Sequence, residues 1–259
     1  MFPYNYHTHT RRCGHASGDD EEYVLAAIKA GYKVLGFSDH APYSLYPHPG
    51  SHMGWEMLED YIESINDLKE KYKGIIDIKL GMESEFYPFC FDERKYLLSR
   101  LDYMIFGQHY DQALGLGVNY FKANSEEEIR VYADSVVEGL HSGLFSYLAH
   151  PDVFMNHQPD FTEECARSAH KIAKACEETG IPVELNVRGV MKGKKPFPNG
   201  EQYWYPHKDF WRILAQYDIK AVVGIDAHSP DDLLQTQFVE EGLKELEDLH
   251  LNFITEPFI

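Results

Sequence analysis

Long apolar runs are absent from this chain. No segment of its 259 residues approaches the ~20 consecutive apolar positions of a membrane-spanning helix. No basic stretch followed by an apolar run stands at the N-terminus, so a secretory leader is not read and a cytoplasmic protein is expected. Cysteine is scarce: Cys13, Cys90, Cys165 and Cys176 are scattered and form no CxxC pair. That excludes a disulfide scaffold and suits a reducing compartment. Positive charge is in deficit, with 24 Lys and Arg against 42 Asp and Glu and a formal net charge of -18. Such a chain is not built to coat nucleic acid or an anionic membrane, because phosphate backbones attract Lys/Arg-rich surfaces. A small phosphorylated substrate stays compatible, provided bound metal ions supply a local positive field. Low-complexity segments, Pro/Gly/Ser linkers and repeats are also missing. The whole chain, 1–259, therefore reads as one domain, and its 44% hydrophobic content supplies a sizeable core. The oligomeric state is left open.

What is present is a rhythm. Short β-branched or aromatic runs alternate with longer charged segments of helical period. The strand candidates are YNYHTH, VLGFSDH, IDIKLGMESE, DYMIFGQH, LFSYLAHPD, PVELNV and AVVGIDAH. Helices are predicted near 19–30, 55–72, 92–100, 125–141, 162–179, 206–216 and 231–248. Ser125 and Thr162, each followed by acidic residues, read as N-caps, and Gly31 and Gly180 as C-terminal stops. Alternating strands and helices imply parallel pairing with right-handed crossovers. The fold class is α/β, a distorted (β/α)7 TIM-like barrel; an open doubly wound sheet is the alternative.

The strand ends decide between them. Successive candidates end in His7/His9, Asp39/His40, Glu83, His109, His150, Asn186 and Asp226/His228. A barrel brings such ends to one face, whereas an open sheet spreads them along an edge. With His15, seven histidines and two carboxylates lie at or just past predicted strand ends. Imidazole and carboxylate are ligands that suit Zn, Fe or Mn. Nine donors exceed the four to six that one ion takes and suit two or three ions sharing a bridging carboxylate. The remaining histidines read as loop or helix-flanking residues, with His48 and His52 in a loop that would cover the face.

These segments, HTHT…C.HA.G at the start, then GFSDHAP, GMESEF, GQHY, AHPD, ELN and GIDAHSP, resemble the PHP (polymerase and histidinol phosphatase) superfamily, in order from residue 7 to about 230. GFSDHAP and the chain length resemble the monofunctional histidinol-phosphatase branch. The resemblance implies a trinuclear centre of divalent ions. His7, His9, Glu83 and Asp226 would hold the first ion. Glu83 would bridge to a second, held also by His109 and His150, and His15, His40 and His228 would hold the third. Departures from the branch lie after the sixth strand (ELNVRGVMKGKK), after the fourth (GQHYDQALG), and after AHPD, where no arginine follows.

The resemblance implies a metal-dependent phosphomonoesterase that hydrolyses L-histidinol phosphate, with nucleotides or other small phosphate esters as the alternative. A metal-bridging hydroxide held by Glu83 and Asp226 would be the nucleophile. Asp39 is a candidate proton donor to the leaving alkoxide. Arg188, two residues past the sixth strand, is a candidate phosphate clamp because a guanidinium binds phosphate bidentately. Arg11 and Arg12, lying between ligands, are further candidate substrate contacts. Lys192, Lys194 and Lys195 read as a solvated basic loop. An amidohydrolase is disfavoured by Glu83 standing where a bridging lysine would be expected, and a non-enzymatic barrel by the completeness of the nine donors.

Overall fold

The computed structural model describes residues 2–46, 50–112 and 117–259. Four parallel strands pair in chain order: β1 (Tyr4–Asn5), β2 (Val34–Phe37), β3 (Asp77–Ser84) and β4 (Tyr103–Phe106). A second sheet pairs β5 (Val183–Asn186), β8 (Lys220–Gly224) and β9 (Asn252–Phe253), again parallel. Single bridges join the two sheets into a ring. Leu148 bridges Phe106 on one side and Val183 on the other, and Thr8 bridges Ala227. The second seam carries backbone hydrogen bonds from His9 N to Ala227 O (2.9 Å) and from Ala227 N to His7 O (3.1 Å). The distorted seven-position barrel is the one expected.

Helices α1 (Asp20–Ala30), α2 (Leu58–Lys71), α3 (Phe91–Leu98), α4 (Glu126–Leu140), α5 (Glu163–Thr179), α7 (Lys208–Leu214) and α8 (Gln237–Glu245) fall where the periodicity places them. Ser125 and Thr162 accept from Glu128 N and Cys165 N. Gly31 and Gly180 take the left-handed conformation. α5 buries Cys165, Ala169, Ile172, Ala173 and Cys176, the spacing of one helical face. All four cysteines are buried and unpaired. Among the described residues no helix is long and apolar enough to cross a membrane.

The run 144–152 is not the strand its composition suggested. It pairs only around Leu148, because the chain leaves extended geometry at His150, whose φ is +28°, just before Pro151. Three elements lacked a clear sequence signal: the short helix α6 (Val187–Met191), the hairpin β6 (Lys195–Phe197) and β7 (Gly200–Gln202), and the two-residue β9. Each is too short to show a period.

Two apolar layers result. One fills the space between helices and barrel, with Leu35, Phe37, Met104, Phe106, Leu185 and Val223 facing outward. The other lies inside the barrel: Tyr4, Tyr6, Val34, Tyr103, Ile105, Tyr147, Ala149 and Val222. This plug closes the barrel below the strand C-termini and leaves that mouth as the open end. Tyr4, Tyr6 and Tyr103 are tolerated because their hydroxyls find partners. Tyr103 OH reaches the carbonyls of Tyr6 (2.7 Å) and Phe37 (2.9 Å), tying β4 to the chain at β1 and β2. Tyr103→Phe is expected to cost about 1–2 kcal/mol of unfolding free energy in urea denaturation, by leaving a buried carbonyl without its donor.

Candidate metal centre

Six strand ends deliver donors to the open mouth, and Glu83 stands at their middle. Its Oε2 lies 3.4 Å from His7 Nε2, 3.4 Å from His9 Nε2 and 3.3 Å from His40 Nδ1. Its Oε1 lies 2.8 Å from His150 Nε2 and 3.2 Å from His109 Nε2. Asp226 faces it, with Oδ1 3.5 Å from His7 Nε2, 3.2 Å from His9 Nε2 and 3.3 Å from His228 Nδ1. The rings of His9, His40 and His228 pack with His9 at the centre, 4.3 and 4.1 Å from the other two. His15 joins from the loop before α1. It is exposed, with its ring 4.9 Å from that of His228 and 5.2 Å from that of His40. All nine predicted donors thus meet at one place, eight of them buried or nearly so and His15 at the rim.

Burial alone would favour a neutral Glu83; the imidazoles of His109, His7 and His40 outweigh it and hold its carboxyl well below the usual range. Asp226 likewise is pushed up by burial but held low by His7, His9 and His228. Burial, and then the neighbouring His9, push His40 well below its ordinary value and keep it neutral, the form in which imidazole binds metal.

The donor set fits divalent metal ions. His7 Nε2, His9 Nε2, His40 Nδ1, Glu83 Oε2 and Asp226 Oδ1 are buried and make no hydrogen bond, yet all point into the cluster. Orphaned buried polar atoms are costly unless an ion or a partner satisfies them. The tightest groupings overlap: His9, His40 and His228; His7, Glu83 and His150; His7, His9 and Asp226; His40, Glu83 and His109. Overlap of this kind suits ions that share ligands.

Two carboxylates behind the cluster were missed by sequence reasoning. Glu184 on β5 receives His7 Nδ1 (2.8 Å) and the backbone N of His150 (3.1 Å). Glu85 receives His109 Nδ1 (2.9 Å) and His52 Nε2 (3.0 Å). Each pins one ring nitrogen and turns the other toward the centre, the usual support of metal-binding histidines. Neither carboxylate is solvated; both are at most 1% exposed. The available signal was a carboxylate at an inward position of an apolar strand. Glycines make the room. A Cβ at Gly107 would lie 2.0 Å from Glu83 Oε1, and one at Gly224 would lie 1.7 Å from Glu184 Oε1. His150 (φ +28°) and Asp226 (φ +55°) are the described non-glycine residues with positive φ, backbone strain concentrated at the cluster.

The cavity over the cluster is lined by eight of the nine donors, all but His7, and by Ser51, His52, Tyr110, Phe121, Arg188, Lys192 and Tyr205. Arg188 is among the cavity-lining residues, with Nη1 3.5 Å from Asp226 O and from Asp232 Oδ2. Arg11 and Arg12 do not line this cavity. Arg11 is exposed beside Asp19, and Arg12 is locked on Asp20 (2.9 Å) and Asp60 (2.8 Å) in a separate surface cleft. The expectation of substrate contacts there is corrected: neither side chain lines the cavity, and each is paired with carboxylates elsewhere. Asp39 is also off the cavity. It is fully buried behind His9, accepts from Thr10 Oγ1 and from the backbone of His40, and lies 3.7 Å from His9 Nδ1. It stands beside His9 Nδ1 without a hydrogen bond to it, and away from the open mouth. Cys13 groups with His9 and Asp39 on that same hidden side, its thiol on Thr10 O. Lys192, read as part of a solvated loop, lines the cavity, and His207, read as a helix-flanking residue, is wholly buried. His48 lies outside the described residues.

A closed parallel barrel whose mouth gathers seven imidazoles and two carboxylates defines a class of barrel built to hold divalent metal. Comparison with known proteins agrees. The PHP domain pattern matches residues 5–188. A probable histidinol-phosphatase of Deinococcus radiodurans is 32% identical over 253 residues, covering 94% of this chain and 92% of that protein. The histidinol-phosphatase of Bacillus subtilis is 30% identical over 259 residues, covering 88% and 94%. Among solved structures, histidinol phosphate phosphatase from Lactococcus lactis, complexed with zinc, L-histidinol and phosphate, superposes with a TM-score of 0.73 at 18% identity, covering 97% of this chain and 95% of that one. The putative histidinol phosphatase from Listeria monocytogenes gives 0.73 at 20% identity, covering 90% and 97%. The chain belongs to the PHP family, in its histidinol-phosphatase branch.

Glu184→Gln is expected to weaken retention of divalent metal about 10- to 100-fold in chelator competition, with an unchanged far-UV circular dichroism spectrum.

Proposed function

We propose that this chain is a metal-dependent phosphomonoesterase whose substrate is L-histidinol phosphate, cleaved to L-histidinol and phosphate. The observation that carries the reading is the convergence of nine imidazole and carboxylate donors around Glu83, with their unpaired atoms turned inward. The relatives named histidinol-phosphatase at 30–32% identity supply the substrate.

Three divalent ions, of Zn, Fe or Mn, are proposed. His7, His9, Glu83 and Asp226 would hold one, Glu83, His109 and His150 the second, and His15, His40 and His228 the third. Bound there, they would supply Lewis-acid charge to the phosphoryl oxygens and acidify a water for attack on phosphorus. The protein's own groups do the rest. Glu184 and Glu85 keep His7 and His109 turned toward the reacting centre. Arg188 offers N–H donors to the phosphoryl oxygens, where charge grows as the ester bond breaks. Phe121 stacks on His109 with ring centroids 5.7 Å apart, and with Tyr205 forms an apolar wall that limits water at the site. This positive site lets an acidic chain take a phosphate dianion.

Three measurements test the reading. After reconstitution with Mn, Fe or Zn, histidinol phosphate is expected to exceed nucleotides and sugar phosphates in kcat/KM; if it is not among the best substrates, the substrate assignment fails. Chelation is expected to abolish turnover, and re-addition of metal to restore it. Arg188→Met is expected to lower kcat/KM by at least about tenfold, since a hydrogen bond to a charged group contributes about 1.5–3 kcal/mol.

A further inference from the structure

Arg188 and Lys192 are four residues apart on α6 and its C-terminal cap, so they share one face of that turn. Both line the cavity over the metal cluster. Among the described lining residues outside the nine donors, they are the Arg and Lys side chains.

Their surroundings differ. Arg188 already leans on Asp232. Among the described residues no carboxylate lies within ion-pair distance of Lys192, in a chain with 42 acidic residues against 24 basic ones. Its neighbour Lys194 is paired with Glu245 at 2.6 Å. Lys192 is held instead by neutral acceptors: Nζ donates to Tyr205 OH at 2.7 Å and to Asn156 Oδ1 at 3.3 Å. It also rides over the rings of Tyr205 (4.8 Å) and Phe121 (5.4 Å). An ammonium has three N–H donors. Two are taken by these partners, which fix the position of the nitrogen, and one is left for a ligand in the cavity.

We propose that Lys192 is a second phosphate-binding residue, sharing the phosphoryl group with Arg188, and that Asn156 and Tyr205 are its positioning residues. This rests on the reading of the chain as a phosphomonoesterase, but not on which ester it prefers. The pairing fits the sequence: no arginine follows AHPD, and Asn156, which lies in the segment after that motif, points its carbonyl at Lys192. A cation supplied from α6 thus reaches the mouth beside the segment that follows AHPD.

The test uses the metal-loaded enzyme with inorganic phosphate as the probe and phenyl phosphate as the reporter ester. Lys192→Met is expected to raise the inhibition constant for phosphate about tenfold, and Lys192→Arg to bring it back to within about threefold of the parent. The rise in Tm that phosphate causes should shrink in parallel, with metal content and phosphate-free Tm unchanged. Tyr205→Phe, which removes one acceptor but leaves the lysine, should give a smaller increase. An inhibition constant that does not move in Lys192→Met at parental Tm would overturn the proposal. Should that variant not fold, Lys192→Gln takes its place under the same criterion. Poor turnover of histidinol phosphate alongside an intact phosphate effect would count against the substrate assignment alone.

Discussion

A carboxylate buried at the centre of a barrel is destabilising unless opposite charge or hydrogen bonds surround it. Glu83 is 1% exposed, and five histidines from four different chain segments put a nitrogen within 3.4 Å of it. Those imidazoles would repel one another if all were charged, and divalent cations lodged among them would relieve that repulsion while offsetting the carboxylates. The geometry of the mouth follows from that constraint. Strand ends must bring histidines inward, the plug of tyrosines must stop short of them, and the backbone must accept strain at His150 and Asp226.

The support around the cluster follows the same logic. A histidine that binds metal with one nitrogen needs its other nitrogen satisfied. Glu184, Glu85 and the carbonyl of Asp226 serve His7, His109 and His228. Glu85 does more, because it also receives His52 from the loop between β2 and α2. The loop that covers part of the cavity is therefore tied to a residue beside the cluster. Gly107 and Gly224 are the steric counterpart, small where the carboxylates need space.

Much of this was legible beforehand. Long helices announced themselves by period and caps. Eight of the nine candidate donors were legible because they stand at or just past strand runs, a place where ionisable groups are tolerated only when paired or metal-bound; His15, in the loop before α1, was legible through the HTHT…C.HA.G segment. What could not be read were partners set by packing. Arg11 and Arg12 looked central because they are adjacent in sequence to His9 and His15, but the short turn at 11–13 points them away. Asp39 looked accessible beside His40, yet alternation along the strand sends it behind His9. Lys192 looked solvated within a basic run, until a five-residue helix without detectable period brought it to the cavity beside Arg188.

The amino-acid sequence by itself thus determined the alternation of strands and helices, the parallel barrel, and the identity of the residues that crowd its mouth. Those properties follow from local propensity and from where polar groups interrupt apolar runs. Only the tertiary structure decided which carboxylates stand behind which imidazoles, which arginines face solvent, and where Lys192 lies. Those depend on distances between segments up to 177 residues apart, as between His7 and Glu184, and such distances are set when the ring of strands closes.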